Sequence, residues 1–75
     1  MNFAERISID PAICHGRPVI RGTRVPVAVI TGSLAGGMSI EDVSREYEVS
    51  VEDVRAALAY VTALVDSERH LPLAG

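Results

Sequence analysis

The sequence predicts a mostly α fold: a three-helix, helix-turn-helix-like domain carrying a short N-terminal β-hairpin or dimer-forming strand pair. Three patterns carry that expectation. Ile7-Ser8-Ile9 alternates apolar and polar, and Val19-Ile20 with Val25 and Val27 makes a second β-prone stretch. Val27, Ile30 and Leu34 recur at helical spacing. Ser39-Ile40-Glu41-Asp42-Val43 is echoed eleven residues later by Ser50-Val51-Glu52-Asp53-Val54. Both segments read as serine-led helix starts, with acids at the positive end of the helix dipole.

Each element follows in turn. Residues 6–22 read as two short strands joined by a loop, because Asp10-Pro11 and His15-Gly16 are turn signals. Pro18 has no N–H to donate to a ladder, so it belongs at a strand start or edge. Two such strands are not stable alone and must lie on the helices or on a partner's strands. Gly22-Thr23 reads as a turn whose hydroxyl helps cap the first helix. Pro26 suits a first helical turn and Gly36-Gly37 a stop, which sets the first helix at 26–35.

The first serine-led start opens a helix over 40–47 with Ile40, Val43 and Tyr47 inward. The second opens a helix over 51–66 with Val51, Val54, Leu58, Val61 and Val65 inward. Tyr47 and Tyr60 are expected at the core edge with their hydroxyls at water. The expected domain covers residues 1–68, with the β element at 6–22 and the helices within 26–66. Residues 69–75, with Pro72, read as a flexible tail whose Leu71 and Leu73 are either loose or partner-docking.

Composition points to self-association. A chain of 75 residues with 48% apolar content holds more apolar surface than one small core hides, since a domain this size buries only about 60–65% of its unfolded surface. A homodimer is the simplest cover. Cys14 is the only cysteine, which gives no intramolecular disulfide and no pointer to an oxidising compartment. The sequence carries no apolar h-region at its start, and its longest uncharged run, Val25 to Ile40, is broken by Pro26, Gly32, Gly36 and Gly37. A signal peptide and a membrane span are therefore not expected, and a cytoplasmic location is.

Charge is divided along the chain. Residues 1–38 carry four Arg against Glu5 and Asp10, a balance of +2, while residues 39–75 carry three Arg against eight acids, a balance of −5. Arg17, Arg21 and Arg24 recur beside residues that fix backbone shape: Gly16 and Pro18, Gly22, and Val25-Pro26. Guanidinium groups presented in this way suit phosphate or carboxylate recognition. The alternative is that one or more of them pairs with an acid such as Asp10 or Glu46 to hold the strands on the helices.

A short helix, a tight turn and a longer helix make the outline of a helix-turn-helix, although a plain αα-hairpin shares it. Val43, Ser44, Tyr47, Val49, Val54 and Ala57 fall where the general motif places small or core residues. Glu48 departs from it, because the turn usually holds glycine there. The outward face of the second helix would carry Glu52, Asp53, Arg55, Ala56 and Ala59. Two acids repel phosphate, although a carboxylate can accept from the cytosine amino group. The candidate DNA-contacting residues are Arg17, Arg21, Arg24, Arg45, Ser50, Glu52 and Arg55.

Ile9-Asp10-Pro11, then Gly16-Arg17-Pro18-Val19-Ile20-Arg21-Gly22-Thr23-Arg24-Val25-Pro26-Val27, Gly37-Met38-Ser39 and Val54-Arg55-Ala56-Ala57-Leu58-Ala59-Tyr60 together resemble a known bacterial and archaeal family. It was first catalogued as domain of unknown function 433 and is often described as VapB-type antitoxin. The resemblance covers about residues 7–62. It implies a small helix-turn-helix-like dimer with an N-terminal β element at the dimer contact. It also implies a PIN-like ribonuclease toxin as partner and repression of the chain's own operon through operator DNA. His15 departs from the family pattern, which commonly has a second glycine there.

The expected function is therefore the antitoxin of a type II toxin-antitoxin pair, which binds and inhibits the ribonuclease and regulates its operon. The alternative is a protein-interaction module of the same shape with no DNA binding. No cofactor or metal is expected: Cys14-His15 lacks the further ligands a structural zinc needs. No enzyme is expected either, because adjacent Cys and His in an extended segment point to opposite faces and no third group accompanies them.

Overall fold

The computed structural model describes residues 3–67. The described residues open with a single 3-10 turn, Phe3–Glu5, and pass into strand β1, Ile7–Ser8. After a loop it returns as β2, Val19–Ile20, antiparallel to β1 with Ile7 opposite Ile20 and Ser8 opposite Val19. The next turn folds β2 back on itself. The Thr23 hydroxyl donates to the Ile20 carbonyl at 2.7 Å and accepts from the Val25 N–H at 3.0 Å. Ile20 N–H donates to the Val25 carbonyl at 2.9 Å, Val19 bridges Pro26, and Val27 N–H reaches the Pro18 carbonyl at 2.9 Å. Thr23 therefore closes the turn and does not cap the helix. Pro26 stands at the cap position, with no side-chain cap bond.

Helix α1 spans Val27–Ala35. It stops at Gly36-Gly37, where Gly37 takes φ +108°. Gly37 N–H bonds the Leu34 carbonyl at 3.0 Å and Met38 N–H bonds the Ser33 carbonyl at 3.1 Å, which is the paired closure of a Schellman stop. Helix α2 spans Ile40–Tyr47, and its cap Ser39 accepts from Asp42 N–H at 3.1 Å. Helix α3 spans Val51–Ser67. Ser50 accepts from Asp53 N–H at 3.0 Å while the Asp53 carboxylate accepts from Ser50 N–H at 3.1 Å, a reciprocal capping box.

Between α2 and α3 the turn holds at Glu48, which takes the left-handed conformation with φ 54° and ends α2. Ser44 secures it by donating to the Val49 carbonyl at 2.5 Å, and Val49 N–H returns to the Ser44 carbonyl at 3.1 Å. The fold is thus three helices with a short two-stranded antiparallel sheet at the N-terminal end. The strands lie on the helices: Ile7 and Ile20 share one cluster with Val27, Ile30, Val43, Val49, Val54, Ala56 and Ala57.

Burial on α3 departs from the expected face. Leu58 is 39% exposed and Val65 54% exposed, whereas Ala56, expected outward, is fully buried. Two physical causes account for this. The N-terminal turn packs over α3, with the Phe3 ring edge-on to Tyr60 at 5.8 Å, so a second side of the helix is covered. In addition α3 has 17 residues against 9 in α1 and 8 in α2. At about 1.5 Å per residue it is longer than both neighbours, and its second half continues the apolar pattern with Leu58, Leu64 and Val65 exposed. Tyr47 is half-buried, and its hydroxyl pairs with Ser33 Oγ at 2.9 Å instead of facing water. The expected tail, with Leu71, Pro72 and Leu73, lies outside the described residues. Among the described residues no helix is long and apolar enough to cross a membrane.

Candidate partner-binding surface

The arginine-rich segment divides its guanidinium groups between structure and surface. Arg21 is engaged within the chain. Its Nε donates to the Glu5 carbonyl at 2.9 Å and its Nη2 to the carbonyls of Ala4 at 3.1 Å and Ile7 at 3.0 Å. Its own N–H bonds the Arg6 carbonyl at 2.8 Å. Arg21 thus fastens the N-terminal turn and β1 to β2. It does so through backbone oxygens, and neither Asp10 nor Glu46 takes part.

Arg17 and Arg24 are exposed, and neither side chain has a hydrogen bond or ion pair among the described residues. The backbone that carries them is closely specified. Asp10 opens the loop by accepting from Ala12 N–H on its carboxylate at 2.9 Å and from Ile13 N–H on its carbonyl, also at 2.9 Å. Cys14, His15 and Gly16 then take φ of 49°, 57° and 81°, three successive left-handed residues. Gly16 N–H closes on the Ile13 carbonyl and Arg17 N–H on the Cys14 carbonyl, at 3.0 and 3.1 Å. The Cys14 thiol lies 3.5 Å from the Arg24 carbonyl. Cys14 is therefore bonded to the backbone of both arginines.

The remaining candidates lie on α2 and α3. Arg45 pairs with Asp42 one turn before it. The Ser50 hydroxyl is taken up by the capping box. Glu52 and Arg55 are exposed in the first turns of α3, and Arg55 has no side-chain partner among the described residues. Asp53, expected outward, is only 19% exposed at its side chain and pairs with Arg6 at 3.1 Å. This ion pair was not readable from the sequence, since 47 residues separate its members. Among the described residues no three His, Cys, Asp or Glu side chains converge as metal ligands.

Arg17 and Arg24 are thus exposed residues whose backbones both bond Cys14, and Glu52 and Arg55 are exposed on α3. Residues 7–61 match the family described as "Protein of unknown function (DUF433)". The chain belongs to the DUF433 family. The match runs from β1 to mid-α3, so it takes in the Cys14 turn, all three arginines of the segment and both serine caps.

An uncharacterized protein of Sinorhizobium fredii, y4eO, is 38% identical over 60 residues, which are 79% of this chain and 27% of that protein. Among solved structures, Rv2018 of Mycobacterium tuberculosis aligns with a TM-score of 0.67 at 32% identity, over 75% of this chain and 27% of that one. A DUF433 member protein from Anabaena variabilis aligns with a TM-score of 0.75 at 29% identity, over 81% of this chain and 61% of that one. The chain thus spans about a quarter of the length of y4eO and Rv2018.

Proposed function

We propose that this DUF433 chain is an antitoxin of the VapB type that binds and blocks a PIN-like ribonuclease, with Arg17 and Arg24 delivered to the acidic site of that enzyme. The observation that carries this reading is the pair of exposed arginines whose backbones bond Cys14 and whose side chains have no partner among the described residues. A metal-dependent nuclease gathers carboxylates, and two arginines on a fixed turn are complementary to such a site. The family resemblance supplies the identity of the partner. The test is co-purification with a PIN-like ribonuclease encoded beside this chain, together with RNA hydrolysis by that enzyme. A complex that suppresses hydrolysis, and that Arg17→Glu with Arg24→Glu dissolves, is the expected result. Undiminished hydrolysis at saturating chain overturns the reading.

Operator DNA is the second reading, favoured by one feature, the tight turn at the left-handed Glu48 between a short α2 and a longer α3. Charge weighs against it. Arg17, Arg24 and Arg55, which have no ion pair among the described residues, are outnumbered by the exposed acids Glu41, Glu46, Glu48 and Glu52, while DNA affinity depends on neutralising phosphates. A fragment of the chain's own promoter, titrated at low and then rising salt, separates the two. A shift that weakens steeply with salt and is lost when Arg17, Arg24 and Arg55 become alanine supports DNA binding, and no shift at low salt rejects it.

A further inference from the structure

We propose that the second half of α3 is the contact between two copies of this chain, with the two helices packed antiparallel about a two-fold axis near Tyr60 and Val61. Ala56 to Val65 carries no charged residue, which is unusual for a helix stretch with so much exposed surface. Leu58 is 39% exposed, Leu64 42% and Val65 54%, and Val61 between them is only half-buried. These side chains form one stripe at spacings of three and four. It continues the line of the buried Val54 along α3, which is longer than α1 and α2.

Charge at the two ends of the stripe selects its occupant and its direction. Arg55 lies just before the uncharged stretch and Asp66 just after it, both exposed and neither in a side-chain pair among the described residues. Eleven residues separate them. Eleven residues are about three helical turns, so both side chains stand on the same edge of the stripe, within about 20° of each other around the helix. In an antiparallel two-fold pair the same edge of each helix meets its copy, and opposite ends come together. Arg55 then faces Asp66 of the partner subunit, and the relation is repeated by symmetry. In a parallel pair each edge would meet the opposite edge of the partner, and Arg55 and Asp66 would stay about three turns apart along the axis. The stripe is therefore self-complementary in apolar surface and in charge for one arrangement, a second copy running the other way.

This inference does not rest on the antitoxin reading, and its test contains no ribonuclease. The full chain is followed by sedimentation equilibrium up to high micromolar concentration, alone and as Arg55→Asp, Asp66→Arg and the double exchange. Expected is a reversible dimer that each single reversal weakens about tenfold, because two attractions become two repulsions, and that the double exchange restores. Leu64→Asp, at an exposed site that keeps the fold, should abolish the dimer. A chain that stays monomeric throughout overturns the proposal. So does a dimer indifferent to both reversals, or one the double exchange fails to restore. Protection of Leu58 and Leu64 that appears only when a different protein is added overturns it as well.

Discussion

Arg6 and Asp53 join the two ends of the fold: the guanidinium of the residue before β1 lies 3.1 Å from the carboxylate in the first turn of α3. The other oxygen of the same carboxylate accepts from Ser50 N–H at 3.1 Å. One side chain thus caps α3 and holds the N-terminal segment over it, where Phe3 meets Tyr60. The pair is partly open to water, with 42% and 19% of the side chains exposed. Its direct worth is therefore below that of a buried pair.

Asp53→Ala removes both the cap bond and the ion pair, and is expected to cost about 1–2 kcal/mol in urea unfolding. Arg6→Ala should cost less, about 0.5 kcal/mol, since it leaves the capping box whole. A double-mutant cycle isolates the coupling between them. Equal losses from the two single variants would show that the cap contributes nothing beyond the pair.

Two departures from sequence patterns fall on left-handed residues. Glu48, where the general helix-turn-helix pattern has glycine, takes φ 54°, and His15, which departs from the pattern of the family resemblance, takes φ 57°. An L-residue in this region costs roughly 1–2 kcal/mol, of which glycine gives back part through its freer unfolded chain. Glu48→Gly and His15→Gly are each expected to raise stability by about 0.5–1 kcal/mol, read as a higher unfolding midpoint. A fall for Glu48→Gly would mean that its carboxylate makes a compensating contact in solution.

Tyr47 and Ser33 tie α2 to α1 through one hydroxyl pair at 2.9 Å. Tyr47→Phe leaves the ring packed and the Ser33 hydroxyl without that partner, for an expected loss of about 1 kcal/mol. Ser33→Ala should cost a similar amount, and the two together little more than either alone. Additive losses in thermal unfolding would contradict a shared bond.

The outline of the fold was legible because its stops and starts are written in local chemistry. Ser39, Ser50 and Gly36-Gly37 act within a few residues of themselves, and the helix limits follow from them. The inward face of α3 was legible only as far as α1 and α2 reach. Periodicity marks Leu58 and Val65 as apolar but carries no information on how long the neighbouring helices are. The role of Arg21 was hidden for a different reason. Its acceptors are the carbonyls of Ala4, Glu5 and Ile7, which every residue possesses, so no side-chain pattern announces them. Arg6 with Asp53 needed the tertiary fold itself.

The arginines of one segment should therefore separate in experiment. Arg21 donates to three carbonyls in a fixed fork that lysine, with a single ammonium, cannot reproduce. Arg21→Ala is expected to lower stability by about 1–2 kcal/mol, with Arg21→Lys recovering only part of it. Arg17→Ala and Arg24→Ala, at exposed sites with no side-chain partner among the described residues, should stay within about 0.5 kcal/mol of the parent chain. Their effect should appear instead in complex formation with the ribonuclease, measured by titration calorimetry on variants of unchanged unfolding midpoint. The reverse outcome, stability lost at Arg17 or Arg24 and binding lost only at Arg21, would exchange their roles. In that case the surface around Cys14 would be framework, and the contact would have to be sought on α3.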